Sequence, residues 1–431
     1  MGTDLPDYTK YITAAPRNEI ELSIPPESGG STVVMARPFL FFGTDKKSSN
    51  SMVTDYLKQY CILPGGVVIA SPCGTMVSYE GGYVARALIS KAGSGEVALA
   101  KVILDMFAAN QNADGSWYQQ YVPYLNGSGL HDRVAEVSPG VDGNLKVDSG
   151  AALLAWAMAE YDKSQGPSST IYLTTVQKAL QFIRDLQYAH QVGYGTYLIA
   201  NMIWKDVIDT VALAGDCGEV LLAIKACLDQ YGDTLTTSGG YSVKTLGNNL
   251  YTAIAQFLWT GAVGQYYQTA YPASAMPAIP FTYKEKITYT QAFCSRAVYV
   301  WATSSYRTGT DYSSQAETCL DFINSLTAGQ WGGQLYCPYA AAKDETRNEY
   351  SVYTASMLEA CKTVNASKYA QLITRFTAFL RWLALADGRV YDFVTKNGEL
   401  WITEVTLASG ISAEGYGFLA LPAAAALLAG A

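Results

Sequence analysis

Two stretches on either side of a long loop decide the fold: NQNADGSW at 110–117 and VDSGAALLAWAMAEY at 147–161. In the first, Asp114-Gly115 is a tight-turn pair, and Trp117 follows it as a bulky side chain that packs over the turn. In the second, Asp148 opens a mostly apolar segment whose spacing predicts a helix. We expect this unit of aromatic loop, acid and buried helix to be repeated around a ring.

Helical periodicity continues through the chain from about residue 51. It predicts twelve helices, near 51–61, 77–92, 95–112, 147–163, 170–188, 206–231, 245–268, 289–306, 312–326, 347–364, 367–385 and 411–429. Beyond the first 50 residues, strand patterns are confined to short pieces near 334–336 and 389–405. Short links alternate with long ones, so the helices pair into six hairpins with the long loops at one rim. This pattern predicts an all-α protein with an (α/α)6 toroid fold.

The predicted helices are of two kinds. Segments such as GAALLAWAMA (150–159) carry small residues on several sides, which is typical of a crowded inner ring. Segments such as SKYAQLITRFTAFLRWLAL (367–385) carry a charged stripe, which is typical of helices with one face in solvent. We therefore expect two concentric rings.

The first 50 residues have a different pattern. EIELSI (19–24) alternates polar and apolar residues, and a Gly-Gly-Ser turn separates it from TVVMA (32–36). This predicts a β-hairpin appendage at 1–50 beside a toroidal catalytic domain at 51–431. The appendage is too small to hold a core of its own. Docking onto another chain, including a second copy of this one, and covering a face of the toroid are the two roles left open.

Composition excludes several classes of function. The net charge is −8, from 37 acidic and 29 basic residues, and no basic cluster is present, so a nucleic-acid partner is not expected. No apolar run is long enough to span a bilayer. The N-terminus lacks the pattern of a secretory signal, which leaves the compartment open, including extracellular or virion-associated locations. The 32 Tyr and 8 Trp residues combine apolar faces with polar groups, which suits sugars.

Metal and cofactor sites are not expected. The eight cysteines form no Cys-x-x-Cys pair, and no histidine lies near them at metal-ligand spacing. Phosphate-cradling glycine patterns and zinc-protease motifs are also absent from the sequence. Any chemistry must therefore come from the side chains themselves.

Four acids stand at or just before the starts of predicted inner helices. In a toroid these helix starts converge at one end, so the acids are expected to form a shared polar floor. Each acid taken alone is equally well explained as a helix cap or a group stabilised by the helix dipole, with no chemistry. The four are Glu80, Asp148, Glu349 and Glu414.

Motifs around three of these acids resemble a known family. VSYEGGYVARAL (77–88) and ISAEGYGFLALP (411–422) resemble the Ser-Glu-Gly-x-x-Tyr-Gly motif of the (α/α)6 endoglucanase, chitosanase and xylanase family. VDSGAALLAWAMA (147–159) is similar to that family's second inner helix. The resemblance implies that Glu80 is the general acid and that Asp148 contacts the sugar. It also marks Glu414 as a candidate acid.

The matches to this family are partial. Tyr79 interrupts the Ser-Glu pair in the first motif, Ala413 does so in the second, and no matched motif contains the family's base. A helix N-terminus favours the charged form of Asp148, which predicts a base or a substrate clamp. Apolar neighbours of Glu80 and Glu414 predict raised pKa values, which suit a proton donor.

Rim loops supply the candidate substrate contacts. The loop 113–146 contains Trp117, Tyr118, Tyr121, His131, Asp132 and Arg133, and other loops add Trp331 and Trp401 for stacking on sugar rings. Glu349 is counted with them as a substrate-binding acid. The His131 triplet either contacts an acidic sugar or is simply solvated, and His190 with Tyr194 in another predicted rim loop has the same two interpretations.

The sequence therefore predicts a glycoside hydrolase that uses Glu80, Asp148 and Glu414 as acid and base, since glycoside hydrolysis requires one protonated and one ionised carboxyl group. One alternative is a polysaccharide lyase acting on uronates, with His131, Arg133 and Tyr121 or His190 and Tyr194. Another is a non-catalytic glycan-binding or virion-associated protein.

Overall fold

Helices dominate the part of the chain that the computed structural model describes. The described residues are 12–15, 19–24, 32–36, 49–63, 65–68, 76–125, 131–136, 145–204, 207–208, 211–267, 269–270, 289–329, 339–340, 347–384, 390, 393–394, 400–401, 405–406, 412–413 and 420–430. Within them the twelve helices are α1 Ser49–Tyr56, α2 Ser78–Ser90, α3 Ser94–Ala109, α4 Asp148–Gln165, α5 Leu173–Tyr194, α6 Ala214–Tyr231, α7 Val243–Ala253, α8 Tyr289–Ala302, α9 Ser313–Gly329, α10 Ser351–Asn365, α11 Ala370–Leu383 and α12 Ala420–Leu428. Single π-helical turns at Leu57–Cys61 and Ile254–Leu258 follow α1 and α7.

The helices form two concentric rings. The inner helices α2, α4, α6, α8, α10 and α12 each pack against the next, and α12 packs back on α2, which closes the circle. The outer helices α1, α3, α5, α7, α9 and α11 each pack on an inner helix. This arrangement confirms the predicted (α/α)6 toroid, including the assignment of 150–159 to the inner ring and 367–385 to the outer ring. None of the described helices is long and apolar enough to cross a membrane.

Glycines allow the inner helices to approach closely. A Cβ atom on Gly82 of α2 would lie 2.9 Å from the Cβ of Leu153 in α4. A Cβ atom on Gly218 of α6 would lie 2.8 Å from the carbonyl carbon of Phe293 in α8. Because real Cβ atoms do not approach so closely, these positions require glycine. The small residues that mark the inner helices in the sequence therefore set the width of the ring.

The turn at 110–117 is part of the architecture, as its sequence predicts. Gly115 has a φ of +87°, and its Cα packs on the backbone of Lys178 in α5. The Asp114 carboxylate accepts hydrogen bonds from the backbone and side chain of Ser116. Trp117 is 1% exposed and donates its indole N–H to the carbonyl of Phe107 over 2.7 Å. The turn thus joins the end of α3 to the N-terminal part of α5.

Short strands connect the helices. They are β1 Ile12–Ala15, β2 Glu19–Ile24, β3 Thr32–Ala36, β4 Ile62–Leu63, β5 Val67–Val68, β6 Met76–Val77, β7 Gln120–Leu125, β8 His131–Glu136, β9 Lys146–Val147, β10 Met202–Trp204, β11 Val207–Ile208, β12 Ala212–Leu213, β13 Trp259–Thr260, β14 Gln265–Tyr266, β15 Thr269–Ala270, β16 Tyr339–Ala340, β17 Arg347–Tyr350, β18 Phe393–Val394, β19 Leu400–Trp401, β20 Val405–Thr406 and β21 Ser412–Ala413. Most have two residues, which is too short to leave a period-two pattern. The strand pieces predicted near 389–405 correspond to β18, β19 and the start of β20, whereas 334–336 lies outside the described residues.

The N-terminal strands form the predicted antiparallel arrangement and also reach the rest of the chain. β2 pairs with β1 on one side and β3 on the other. β3 pairs with β19, so the three strands belong to a seven-stranded sheet with β16 to β19. Residues 1–50 are thus joined to the toroid through backbone pairing. Their independence as a domain and their role in docking stay predictions.

Candidate active site

Three neighbouring inner helices begin in the same way. The residue before each is extended: Val77 before α2, Val147 before α4 and Leu213 before α6. Each of these residues ends a short strand, so the chain enters the ring as a strand and turns at once into a helix. The first turns carry Glu80, Asp148 and Asp216.

Hydrogen bonds across the lumen identify the side chains that face the axis of the ring. The hydroxyl groups of Tyr79 and Tyr83 in α2 donate to the same carboxylate oxygen of Glu219 in α6, over 2.7 and 3.1 Å. Because α4 lies between α2 and α6 in the ring, these bonds span the lumen. Glu219 therefore lies on the inner face of the toroid, within two turns of the helix start.

Asp148 belongs to the same group of side chains. Its side chain is fully buried, and the nearby negative charges of Asp216 and Glu219 act on its carboxyl group. We refer to Asp148, Asp216 and Glu219 as the luminal carboxylate cluster. Among the described residues, no three His, Cys, Asp or Glu side chains are placed to hold a metal ion.

The environment of Asp148 favours its protonated form. Burial, followed by the charges of Asp216 and Glu219, raises the pKa of Asp148 well above its usual value. One carboxyl oxygen accepts the backbone N–H of Ser149 at 2.7 Å. The other is buried and has no hydrogen-bond partner among the described residues. The helix dipole predicts a charged Asp148, and this prediction is wrong because burial and the acidic neighbours raise the pKa of Asp148.

Glu219 is as fully buried as Asp148 but differs from it in its hydrogen bonds. Two phenolic O–H groups donate to it, and hydrogen bonds to a carboxylate stabilise its ionised form. Burial and the charge of Glu219 raise the pKa of Tyr83 well above its usual value, so this phenol remains a proton-bearing donor. The cluster thus combines one carboxyl group that favours its proton with one that accepts two phenolic hydrogen bonds.

A layer of ion pairs lies deeper along the inner helices. Arg86 of α2 is buried, donates to Glu160 of α4 over 3.1 Å, and lies 3.4 Å from the centre of the Trp156 ring. Arg296 of α8 pairs with Glu359 of α10 at 2.7 Å. Trp156, Glu160 and Arg296 also line a cavity of about 200 Å³ nearer the C-terminal ends of these helices. The layer therefore separates the carboxylate cluster from the opposite mouth of the ring.

Glu80 acts electrostatically on a different part of the molecule. It is buried, and its charge adds to the burial that raises the pKa of Cys61 to about 12. Cys61 ends the π-helical turn after the outer helix α1. Glu80 also lies about 100° around α2 from Tyr79, which faces the lumen. The structure therefore brings Asp148 together with Asp216 and Glu219, and places Glu80 beside Cys61. The role of Glu80 as general acid stays a prediction.

The aromatic residues at the start of the rim loop occupy different depths. Trp117 is enclosed in the core, so the sugar contact predicted for it is wrong because no ring face is free. Tyr121 is 3% exposed, and its hydroxyl accepts the backbone N–H of Tyr118 at 2.9 Å. Tyr118 is partly exposed and packs edge-on against Tyr121, with ring centres 6.0 Å apart. Tyr118 is thus the member of this group that is accessible to a ligand.

For each remaining candidate residue, either the side chain or the whole residue lies outside the part of the chain that the structure describes. The structure gives the backbone of His131, Asp132 and Arg133 in β8, of Glu349 in β17 and of Trp401 in β19. Trp331 and Glu414 lie outside the described residues. Their predicted roles stay predictions.

His190 does not lie in a rim loop as predicted. It lies inside α5, is 1% exposed, and has Nδ1 2.7 Å from the hydroxyl oxygen of Thr196. Burial lowers the pKa of His190, so its neutral form is favoured. Its ring packs edge-on against Tyr194 at 5.0 Å. The prediction was wrong because the helix continues six residues beyond its expected end, and the pair His190 and Tyr194 is held in place by helix packing.

Sequence reasoning missed Asp216 and Glu219. The predicted third inner helix began near 206, which placed both acids in the middle of a helix. In the structure β12 occupies Ala212–Leu213 and α6 begins at Ala214. Asp216 is therefore the third residue of α6, as Glu80 is of α2. The available signal was the Ala-Gly pair at 214–215, which matches the glycines at the other inner-helix starts.

Comparisons with solved structures place this fold among known ones. A D-mannose isomerase superimposes with a TM-score of 0.60 at 12% identity, covering 91% of this chain and 99% of that one. A sugar epimerase from a ruminal bacterium superimposes with a TM-score of 0.59 at 10% identity, covering 88% of this chain and 98% of that one. A β-1,3-1,4-glucanase from Paenibacillus sp. X4 superimposes with a TM-score of 0.54 at 14% identity, covering 89% of this chain and 91% of that one. No family model and no curated protein matches the sequence.

Proposed function

We propose that this protein is a carbohydrate-active enzyme, and specifically a glycoside hydrolase that cleaves a poly- or oligosaccharide in the lumen of the toroid. The observation that carries the proposal is the environment of Asp148 beside Glu219. One carboxyl group is driven to its protonated form by burial and acidic neighbours. The other accepts two phenolic hydrogen bonds.

This pairing is the basis for assigning the two roles of glycosidic bond cleavage. The reaction needs a carboxylic acid that protonates the leaving oxygen and a carboxylate that acts on the opposite face of the sugar. In the proposal Asp148 donates the proton and Glu219 is the carboxylate. Asp216 keeps the pKa of Asp148 raised through its charge. These roles differ from those that the family resemblance implied, in which Glu80 is the general acid and Asp148 contacts the sugar.

Charge in the lumen favours an uncharged substrate. The cluster brings three acids together, and the phenols of Tyr79 and Tyr83 donate to one of them, Glu219. The next cation along α2, Arg86, is already paired with Glu160. A uronate would bring a further negative charge towards these acids, so a neutral glycan is the preferred substrate class. This argument favours hydrolysis over the lyase alternative.

The structural neighbours support a sugar substrate but are divided over the reaction. Two of them are named as an isomerase and an epimerase, and one as a glucanase. An acid beside a carboxylate also suits proton transfer at a sugar carbon. Sugar isomerisation is therefore the second candidate function.

Product analysis with a panel of neutral glycans and free sugars tests the proposal. New reducing ends mark hydrolysis, an unsaturated ultraviolet-absorbing product marks a lyase, and a changed monosaccharide marks an isomerase. Asp148→Asn and Glu219→Gln are each expected to lower kcat by about 100-fold or more, as for lost acid or base groups. Asp185→Asn, at an exposed acid of α5, is the matched control and keeps full activity.

Two outcomes would contradict the proposal. Cleavage that survives both Asp148→Asn and Glu219→Gln would remove the acid and base roles, and comparison with Glu80→Gln would then test the family-based assignment. Binding of a glycan without any cleavage would favour the non-catalytic or virion-associated alternative. Docking or homo-oligomerisation through the N-terminal strands is a separate proposal that sedimentation of the full chain tests.

A further inference from the structure

The outer surface of α5 carries an exposed aromatic strip. Tyr188 is 52% exposed, Val192 is 69% exposed, and Tyr197, just after the helix, is 37% exposed. Arg184 and Tyr188 lie one helical turn apart, so they share a face. Tyr241, which precedes α7, adjoins this face. We call this set the α5 strip: Arg184, Tyr188, Gln191, Val192, Tyr197 and Tyr241.

Contacts within the strip hold its rings in place. The guanidinium of Arg184 lies 4.6 Å from the ring centre of Tyr188 and 5.0 Å from that of Tyr241. The amide of Gln191 donates to the hydroxyl of Tyr197 over 2.9 Å. Side chains that are already ordered lose less conformational entropy when a ligand binds. The strip is therefore a preformed surface.

The strip leads towards the candidate active site. The end of α5 that carries Tyr194 lies at the rim where the inner helices begin. From Tyr197 the chain runs four residues to Asn201, whose carbonyl accepts the backbone N–H of Asp148 at 3.1 Å. A linear ligand bound along α5 would thus pass directly onto the rim above the luminal carboxylate cluster.

The α5 strip differs from the other exposed apolar residues because its members lie next to one another. Among the described residues, the remaining large exposed apolar side chains are single and lie on separate elements: Tyr60, Val102, Ile171 and Phe257. Isolated exposures of this kind are ordinary, whereas a cluster marks a binding surface. Flat tyrosine faces beside the amide and guanidinium donors of Gln191 and Arg184 suit the apolar faces and hydroxyl groups of a pyranose chain.

We propose that the α5 strip is a non-catalytic binding site for a neutral glycan chain, and that it guides the polymer cleaved in the lumen. The site deepens the proposed hydrolase function and rests on it for the identity of the polymer. Binding at the strip is nevertheless measurable without cleavage.

Affinity electrophoresis through gels containing soluble neutral polysaccharides tests the strip. The full-length protein is compared with Tyr188→Ala, Tyr197→Ala and the control Tyr60→Ala, which removes an equally exposed tyrosine on another element. The two strip variants are expected to show about a threefold to tenfold higher Kd for the polymer, the range expected when an aromatic contact is lost. Their KM for the polymer rises in parallel, whereas cleavage of a short oligosaccharide is unchanged.

The results of this experiment distinguish a failure of the α5 strip proposal from a failure of the proposed hydrolase function. If both strip variants are retained as strongly as the wild type, or if no polymer retains the wild type, the α5 strip is not a glycan-binding site. Retention that depends on Tyr188 and Tyr197 in a protein that cleaves nothing supports the strip and contradicts the hydrolase. If sedimentation shows a wild-type dimer that both variants abolish, the strip is an interface between copies and the glycan proposal is wrong.

Discussion

At the scale of single residues, the proposed chemistry depends on two buried carboxyl groups that differ in their hydrogen bonds. Asp148 is buried beside acids, and Glu219 is bound by two phenols. Neither environment is readable from sequence because the residues that create it are far apart. Tyr79 and Glu219, for example, are 140 positions apart in the chain. The helix-start pattern did identify Asp148, but the sign of its pKa shift required the packed structure.

The raised pKa of Asp148 predicts how stability depends on pH. The folded state binds this proton more tightly than the unfolded state, so Asp148 favours folding at pH values below its unfolded pKa. That contribution is lost as the pH rises towards the folded pKa. Replacing Asp148 with Asn is expected to flatten the fall in the free energy of unfolding between mildly acidic and mildly alkaline pH. Urea denaturation at several pH values measures this, and an equally steep fall in the variant would refute the assignment.

Tyr83→Phe tests the anchoring of Glu219. The change removes one donor to a buried carboxylate and leaves the ring in place. Hydrogen bonds to charged groups contribute about 1.5–3 kcal/mol, so the free energy of unfolding is expected to fall by roughly that amount. Tyr60→Phe, at an exposed site, is expected to have no measurable effect. Chemical denaturation compares the two, and equal stability of both variants would argue against the cross-lumen hydrogen bond.

At the scale of elements, the sequence predicted all twelve helices that the structure describes. Each helix that it assigned to the inner or the outer ring lies in that ring. Small residues on several faces were enough to recognise α4 as an inner helix. The start of α6 was placed too early, by eight residues, because apolar residues before it extend the helical pattern. The error at α6 had a functional consequence, since it hid Asp216 and Glu219 inside a predicted helix.

Close packing between inner helices predicts a large difference between two glycine substitutions. Gly218→Ala directs a methyl group into the backbone of Phe293, and overpacking of this kind costs about 1–3 kcal/mol. Gly95→Ala in the outer helix α3 meets no atom within 4 Å and is expected to stabilise by about 0.5–1 kcal/mol. Thermal unfolding monitored by circular dichroism distinguishes them, and a neutral Gly218→Ala would show that α6 and α8 are less tightly packed.

At the scale of the whole molecule, the toroid is one closed structure. Buried apolar side chains of both rings form a continuous cluster from Val53 in α1 to Leu427 in α12. This closure brings the starts of α2, α4 and α6 to one end and so assembles the carboxylate cluster from distant parts of the sequence. The repeat pattern predicted this convergence, and the structural neighbours share the fold over nearly their whole length.

Ring closure predicts that α12 is essential for cooperative folding. Truncation after residue 419 removes the helix that packs between α2 and α10, which exposes apolar surface on both. The truncated chain is expected to lose its single sharp thermal transition and to bind hydrophobic dyes. Truncation after Ala429 keeps the acceptor for the Lys362 ammonium group and is expected to unfold like the full chain. An unchanged transition in the shorter protein would mean that the ring is stable without closure.

The protonation state of Asp148 at neutral pH is the most direct test of the proposed acid–base pair. Infrared difference spectroscopy of wild type against Asp148→Asn resolves the carbonyl stretch of a protonated carboxylic acid. The account predicts that this band is present in the wild type, absent in Asp148→Asn, and retained in Asp185→Asn. A wild-type spectrum without it, with Asp148 ionised, would contradict the assignment of Asp148 as the proton donor.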